Sequence, residues 1–397
     1  MFNKMTIRDV DISGKRVLIR VDYNVPLTST GDVADARKIA ESLPTINYAI
    51  SNGAAGVILM SHLGRPKGKV VENLRLSTVA KKLEELIGIE VVKLDKCIGT
   101  EVEEAVSKLD KGKIILLENL RFHPEEEKND PIFAEKLAKL ADVYVNDGFS
   151  VCHRAHASVH AITKYFDKSV AGLLVEKEIE YLGKILTTPP EPFVIVIGGA
   201  KVSTKIGIVE RLIEKANIFI IGGGMSYTFM KAAGKSVGSS LIEESHIQVI
   251  KDILQNNKDK IILPVDYKIT NKLEGVIYGD VKVTQDENIP DGWQGVDVGP
   301  KSIDRFITYL KEAKCIFWNG PFGVIEIPEF SEGTHKLAYA IANSEAITIA
   351  GGGETDEVID ELNLAEKFNH VSTGGGACLE LLQGKTLPGF AVLTDKK

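Results

Sequence analysis

Short apolar runs that end in polar residues or glycines constrain this chain most. RVLIRVD (16–22), GVILMSH (56–62), KIILLENLR (113–121) and ADVYVND (141–147) lie in the first half. FVIVI (193–197), IFII (218–221) and AITIA (346–350) lie in the second, and each runs into glycines. None alternates apolar with polar, so they fit strands buried on both faces of a parallel sheet. Helical patterns lie between them, such as STVAKKLEELIG (77–88), with Ser77 predicted as its N-cap. The βαβα order predicts two open α/β domains.

Size and composition agree. The chain has 397 residues, a prior of two to three domains at about 150 residues each, and length enough to bury full cores without staples. Hydrophobic residues at 44% and charged residues at 26% exclude a disordered or fibrous chain. The net charge of -7 argues against a nucleic-acid binder, which needs a basic surface. Cys97, Cys152, Cys315 and Cys378 form no C-x-x-C pair, which predicts free thiols in a reducing compartment. MFNKMTIRDV has no apolar signal core and no run of about 18 apolar residues occurs. The expectation is a soluble, cytoplasmic protein with no membrane partner.

Two residue types divide the chain in opposite senses. Eight of the 10 arginines precede residue 155, whereas lysines number 38. The clusters Gly198-Gly199, Gly222-Gly223-Gly224, Gly351-Gly352-Gly353 and Gly374-Gly375-Gly376 all fall in the second half. Two domains with different ligands are predicted. AGLLVEKEIEYLGKIL (171–186) sets Val175, Ile179, Leu182 and Ile185 on one helical face, and TTPPEP (187–192) stops it. That helix and linker mark the boundary: 1–170, the helix 171–186, then a second domain from 187.

Ligands of an open parallel sheet bind beyond the carboxyl ends of its strands. The first half offers Asp22 and Asn24, His62 and Arg65, Arg121 and His123, Asn146 and Asp147 at those ends, with Arg20, Arg37 and Arg154 as further candidates. Arginine forks match carboxylate and phosphate oxygens, so the set suggests a small, multiply anionic ligand; structural ion pairs are the alternative. Cys152, His153, His156 and His160 invite a metal reading, but firm ligand spacing is lacking, so anion contacts or loop packing are expected. In the second half each glycine cluster follows a strand and precedes a helical pattern, which suits backbone N–H groups approaching phosphate. Lys201 and Lys205, at i and i+4, would share one face of a helix opening after Gly199. Nucleotide motifs of the usual kinds are missing. GKS (234–236) and GKT (384–386) lack the earlier glycine of a Walker A loop, and Tyr227, Asp356 and Leu379 replace the last glycine of G-x-G-x-x-G.

Taken in order, the motifs resemble the phosphoglycerate kinase family from end to end. RVDYNVP (20–26), SHLGRP (61–66), LLENLRFHPEE (116–126), VND (145–147) and HRAHAS (153–158) are similar to its acid-binding half. GGAKVSTKI (198–206), GGGMSYTF (222–229), LPVD (263–266), DVGPKS (297–302), WNGPFGVIE (318–326) and HVSTGGGACLELLQGKTLPG (370–389) are similar to its nucleotide half. The resemblance implies two Rossmann-like domains facing across a cleft. The second would run 187–379, with 380–397 returning to the first. It implies reversible phosphoryl transfer from 1,3-bisphosphoglycerate to ADP, giving 3-phosphoglycerate and ATP, in glycolysis and gluconeogenesis. It implies Mg²⁺ with the nucleotide, and a monomer. Asp22, Asn24, Arg37, His62, Arg65, Arg121 and Arg154 would hold the acid. Gly199, Ala200, Lys201, Lys205, Gly223, Asn319, Glu326, Gly351, Gly352, Gly353, Glu354 and Thr355 would hold the nucleotide. Arg37, Lys201, Gly352 and Gly375 would act on the moving phosphoryl, and Glu354 would meet the metal.

Three single positions and one segment depart from the family pattern. Thr204 stands in place of Asp, Glu354 in place of the metal-binding Asp, GFSVCHRAH (148–156) in place of AFGTAHRAH, and Phe322 in place of Met or Ala near the expected nucleoside pocket. The chemistry fits the composition. An ionised carboxylate nucleophile needs no general base, so cations matter more than a Ser-His-Asp set. A dinucleotide-dependent dehydrogenase and a two-domain solute-binding protein are the competing readings. The missing G-x-G-x-x-G weighs against the first and the missing export signal against the second.

Overall fold

The computed structural model describes residues 3–396. They form two compact units: residues up to Glu180 together with those from Thr386 on, and Tyr181–Lys385.

The first unit holds six strands: β1 (Arg16–Arg20), β2 (Gly56–Met60), β3 (Val91–Lys93), β4 (Ile114–Leu116), β5 (Val143–Asn146) and β6 (Ser169–Ala171). They pair in parallel in the order β3-β4-β2-β1-β5-β6. The central strands are apolar on both faces because helices cover both, so β2, β4 and β5 are buried at every residue. Val79 and Leu83 of helix Ser77–Ile87 are buried with Val57, Leu59 and Leu116. Ser77 is not the cap of that helix: it is the first helical residue, and the cap position is Leu76. Glu118, delivered by the loop after β4, takes the Leu76 N–H on Oε1 at 3.0 Å. A carboxylate 42 residues away supplies a partner that local sequence does not show.

The last residues pack on this unit, through Met5 N–H to Thr394 O at 2.7 Å and Asn146 Nδ2 to Gly389 O at 3.1 Å. Helix Leu173–Thr187 buries Val175, Ile179, Leu182 and Ile185, the predicted face.

The second unit holds β7 (Phe193–Ile197), β8 (Ile218–Ile221) and β9 (Ile261–Ile262), then β10 (Tyr267–Thr270), β11 (Leu273–Glu274), β12 (Ile277–Tyr278), β13 (Val281–Val283) and β14 (Gln294–Val298). β15 (Cys315–Asn319), β16 (Ile347–Gly351) and β17 (His370–Ser372) complete it. Its main sheet is parallel in the order β17-β16-β15-β7-β8-β9. Counted within that sheet from the β9 edge, the order is 3-2-1-4-5-6, that of doubly wound nucleotide folds. β10, β13 and β14 form an antiparallel sheet between β9 and β15 in the chain, which no sequence pattern announced. Among the described residues no helix is long and apolar enough to cross a membrane.

Candidate functional site

In the first unit the loops after β1, β2, β4 and β5 bring cations together around one carboxylate. Asp22 is paired with Lys38 Nζ at 2.7 Å, accepts the Ser150 hydroxyl, and lies 3.9 Å from His62 Nδ1. Burial opposes its charge, yet the Lys38 ammonium, with the Ser150 hydroxyl, holds its carboxyl far below the usual range. Arg20 is 1% exposed; it donates to Ser158 Oγ at 2.9 Å and to Val21 O, and lies 3.1 Å from His62 Nδ1. Arg121, also buried, donates to Gly64 O at 2.9 Å, while its Nη2 has no hydrogen-bond partner. Burial, then Arg20 and Arg154, bring the Arg121 guanidinium down to about 10. His156 is brought to about 4 by burial and by Arg121, Arg20 and Arg154. Arg20, Arg121 and Arg154 supply the positive charge here, and His62 and His156, whose proton affinity they lower, lie among them.

The remaining predicted residues surround it. Asn24 is exposed and accepts the Gly64 N–H on Oδ1 at 2.8 Å, which ties the β1 and β2 loops together. Arg65 is exposed on the turn that follows. Arg37 opens helix Arg37–Ala40, pairs with Asp35 at 3.4 Å, and precedes Lys38, the partner of Asp22. Arg154 donates to His153 Nε2 at 3.1 Å. Among the described residues no His, Cys, Asp or Glu cluster is placed to hold a metal. His160 instead meets Asn129 at 3.0 Å, and Cys152 is buried against Gly148 O. Lys38, Ser150, Ser158 and Glu126 escaped sequence reasoning. A lysine, two serines and one glutamate within an acidic run carry no spacing that separates them from surface residues.

In the second unit the order reverses between β7 and β15, a switch point of the kind at which open α/β sheets bind ligands. Lys205 spans it, donating to Gly198 O at 2.6 Å and Asn319 O at 3.3 Å. It is 7% exposed, and burial lowers its ammonium to about 8, opposed by Glu354. A Cβ on Gly199 would stand 2.9 Å from Lys205 Nζ and 3.7 Å from Glu354 Oε2, so all three meet at one point.

Two expectations are corrected here. No helix opens after Gly199: a 3-10 turn covers Val202–Thr204 and the helix spans Ile206–Leu212. Lys201 is therefore exposed while Lys205 turns inward, and they share no helical face. Thr204 Oγ1 donates to Lys201 O at 2.9 Å, which closes that turn. Nor do the first two glycine clusters leave all their N–H groups free. Gly198 donates to Asn319 O at 3.0 Å, Gly199 to Pro321 O at 2.7 Å and Gly222 to Ile197 O at 2.9 Å. These glycines let three loops interlock: Gly223, at φ +64, lies where a Cβ would stand 2.5 Å from Gly199 N.

The third cluster is different. Gly351 ends β16, Gly352 adopts φ +112, and helix Gly353–Glu361 starts at once. The first N–H groups of a helix lack intrahelical acceptors, so Gly353, Glu354 and Thr355 present a positive end. Thr355 Oγ1 accepts the Gly320 N–H at 2.7 Å and Asn319 Nδ2 donates to Gly351 O, joining the β15 and β16 loops. Glu354, Glu326 and Ala200 are exposed. Gly375, at φ +50, precedes helix Gly376–Leu382. Phe322 is buried under Gly198 and Gly222, edge-on to Phe306 at 5.7 Å, so it supports the loops from the core.

A profile of the family described as phosphoglycerate kinase matches residues 7–385. The chain is 49% identical over 391 residues to the phosphoglycerate kinase of Gloeothece citriformis, covering 97% of each chain. It is 48% identical over 396 residues to that of Microcystis aeruginosa, covering 98% of each. The solved structure of the Coxiella burnetii phosphoglycerate kinase superposes with a TM-score of 0.87 at 36% identity, covering 98% of both chains.

Proposed function

The chain belongs to the phosphoglycerate kinase family, and we propose that its two sites divide the reaction, the acid on the first unit and the nucleotide on the second. The chain is a glycolytic kinase: it transfers a phosphoryl group reversibly between 1,3-bisphosphoglycerate and ADP, giving 3-phosphoglycerate and ATP. The bond broken joins phosphorus to the acyl oxygen, and the bond formed joins it to the terminal oxygen of ADP.

One observation carries the acid assignment: Arg121 is buried with an unpartnered Nη2 in a cluster where Arg20 and Arg154 repel it. Such an arrangement is relieved by a ligand with several negative charges. Asp22, Asn24, Arg37, His62, Arg65, Arg121 and Arg154 hold that ligand in this reading. Arg37 neutralises its carboxyl end and the charge on the moving group.

On the second unit Gly199, Ala200, Lys205, Gly223, Asn319, Glu326, Gly351, Gly353 and Thr355 hold the nucleotide. Lys201, on an exposed turn free to reach outward, guides the phosphoryl. Gly352 and Gly375 bring backbone to the same group. Preorganised donors of this kind act mainly on the transition state. Glu354 offers one hard oxygen donor beside the phosphate-binding helix end. A single carboxylate suits Mg²⁺, which takes one or two from a protein and the rest from phosphates and water. Bound there, Mg²⁺ would offset charge on the β- and γ-oxygens.

The reading also includes a monomer, and a place in the cytoplasm that is supported by four buried cysteines with no disulfide among them. A coupled assay with ATP and 3-phosphoglycerate tests the whole. Lys201→Ala should lower kcat strongly, whereas Lys205→Ala should chiefly weaken ADP and ATP binding. The reverse pattern would overturn the division of roles.

A further inference from the structure

A buried chain of hydrogen bonds runs behind His62. Glu126 is fully buried. Its Oε1 accepts the Ser158 hydroxyl at 2.6 Å and its Oε2 the Ser158 N–H at 2.9 Å. That hydroxyl has given its one proton to Glu126, so its oxygen is left to accept from Arg20 Nε at 2.9 Å. Arg20 Nη2 lies 3.1 Å from His62 Nδ1. A guanidinium carries donors only, so Nδ1 must accept, and the one proton of a neutral ring then sits on Nε2.

We infer that Glu126, Ser158 and Arg20 form a positioning device that holds His62 as the neutral Nε2–H tautomer, so that it offers the acid a fixed hydrogen-bond donor without adding a charge. The inference rests on the acid-binding reading of the first unit. The groups around His62 support a neutral ring. It is buried, and Arg20, Arg121 and Lys38 all disfavour a further positive charge there. The Asp22 carboxylate pulls the other way, but at 3.9 Å it makes no hydrogen bond to Nδ1. The arginines then supply the charge of the cluster, and His62 supplies direction. Acid binding should stay flat with pH near 6.5, where an ordinary histidine loses its proton.

The test is two-bond ¹H–¹⁵N NMR on the ¹⁵N-labelled full chain, with His62→Gln used to assign the signal. At pH 7 His62 should show a protonated Nε2 and a bare Nδ1. A protonated Nδ1, or an imidazolium, overturns the inference. Ser158→Ala should give a mixture of tautomers, with the Kd for 3-phosphoglycerate up about tenfold and that for ADP unchanged. Ser158→Thr, which restores the hydroxyl, should restore the single tautomer. A Ser158→Ala protein that keeps the pure Nε2–H form would remove the chain's role. If that variant does not fold, the wild-type spectrum still decides. A His62→Gln protein that binds 3-phosphoglycerate as well as the wild type would overturn the acid-site reading while leaving the tautomer standing.

Discussion

The two units each carry a six-stranded parallel sheet, yet they build their candidate sites from opposite materials. In the first, long cationic side chains are held by carboxylates: the buried Arg20 through Ser158 to Glu126, and the half-buried Lys38 to Asp22. In the second, glycines let loop backbones lock into one another, and Lys205 is the buried cation at the switch point. The strand orders differ as well. The second sheet has the nucleotide-fold order, whereas β4 is inserted between β2 and β3 in the first. On the proposed reading, the difference teaches that one architecture can grip an anion by side-chain charge or by backbone geometry. The two should therefore fail differently.

The largest effect is expected where side-chain charge meets the reacting group. Arg37→Ala should cut kcat by about 10²–10³-fold, as loss of one transition-state donor does, while the thermal midpoint barely moves. Near-normal turnover would refute the role of Arg37.

The backbone-built site should break through stability instead. Gly223→Ala places a Cβ at 2.5 Å from Gly199 N and 2.7 Å from Pro321 O, at φ +64. A loss of about 1–3 kcal/mol is expected. Both tryptophans, Trp293 and Trp318, lie in this unit, so denaturant unfolding followed by their fluorescence reads it directly. Arg121→Lys in the first unit should leave that unfolding curve alone and weaken acid binding. Equal stability losses from both would erase the contrast.

A smaller effect separates the cations by pH. Lys205 sits near 8 in the free protein, and a bound phosphate favours its charged form, so binding raises that value. Below pH 8 the ammonium is already present and affinity is full. Above it each binding event must take up a proton, and the ADP Kd should rise by at most about tenfold per pH unit. Lys205→Arg should flatten the profile, and calorimetric titration between pH 7 and 9 reads it. An ADP profile that stays flat in the wild type would remove Lys205 from phosphate binding.

The smallest change is expected at Glu354. Glu354→Gln should raise the Mg²⁺ concentration for half-maximal rate a few-fold, with acid binding unchanged. An unshifted Mg²⁺ dependence would leave that carboxylate only its place at a helix N-terminus.

The contrast was partly visible in the chain. Strands such as Phe193–Ile197 were legible to the residue because a doubly buried strand admits only apolar side chains. The run Cys315–Asn319 is apolar up to its final Asn319, yet nothing local marks it as the strand that sits at the switch point beside β7. The edge strand Ile261–Ile262 is two residues long, too short for any period to register. In the site, Arg121 and Lys205 stand out by type and position, whereas Lys38 and Glu126 do not. Nothing near them in sequence shows that Asp22 and Ser158 will meet them, 16 and 32 residues away.

By itself the sequence determined the α/β class, the face of helix Leu173–Thr187 and the split between arginine-rich and glycine-rich halves. Those depend on local periodicity and residue type, which any stretch of chain carries with it. Only the tertiary structure decided the strand orders, the turn that separates Lys201 from Lys205, the spent N–H groups of Gly198 and Gly199, and the chain of bonds behind His62. Each depends on which loops are brought together at the sheet ends. Hydrogen bonds and mutual repulsion act over a few ångströms in space, and sequence separation does not measure that distance.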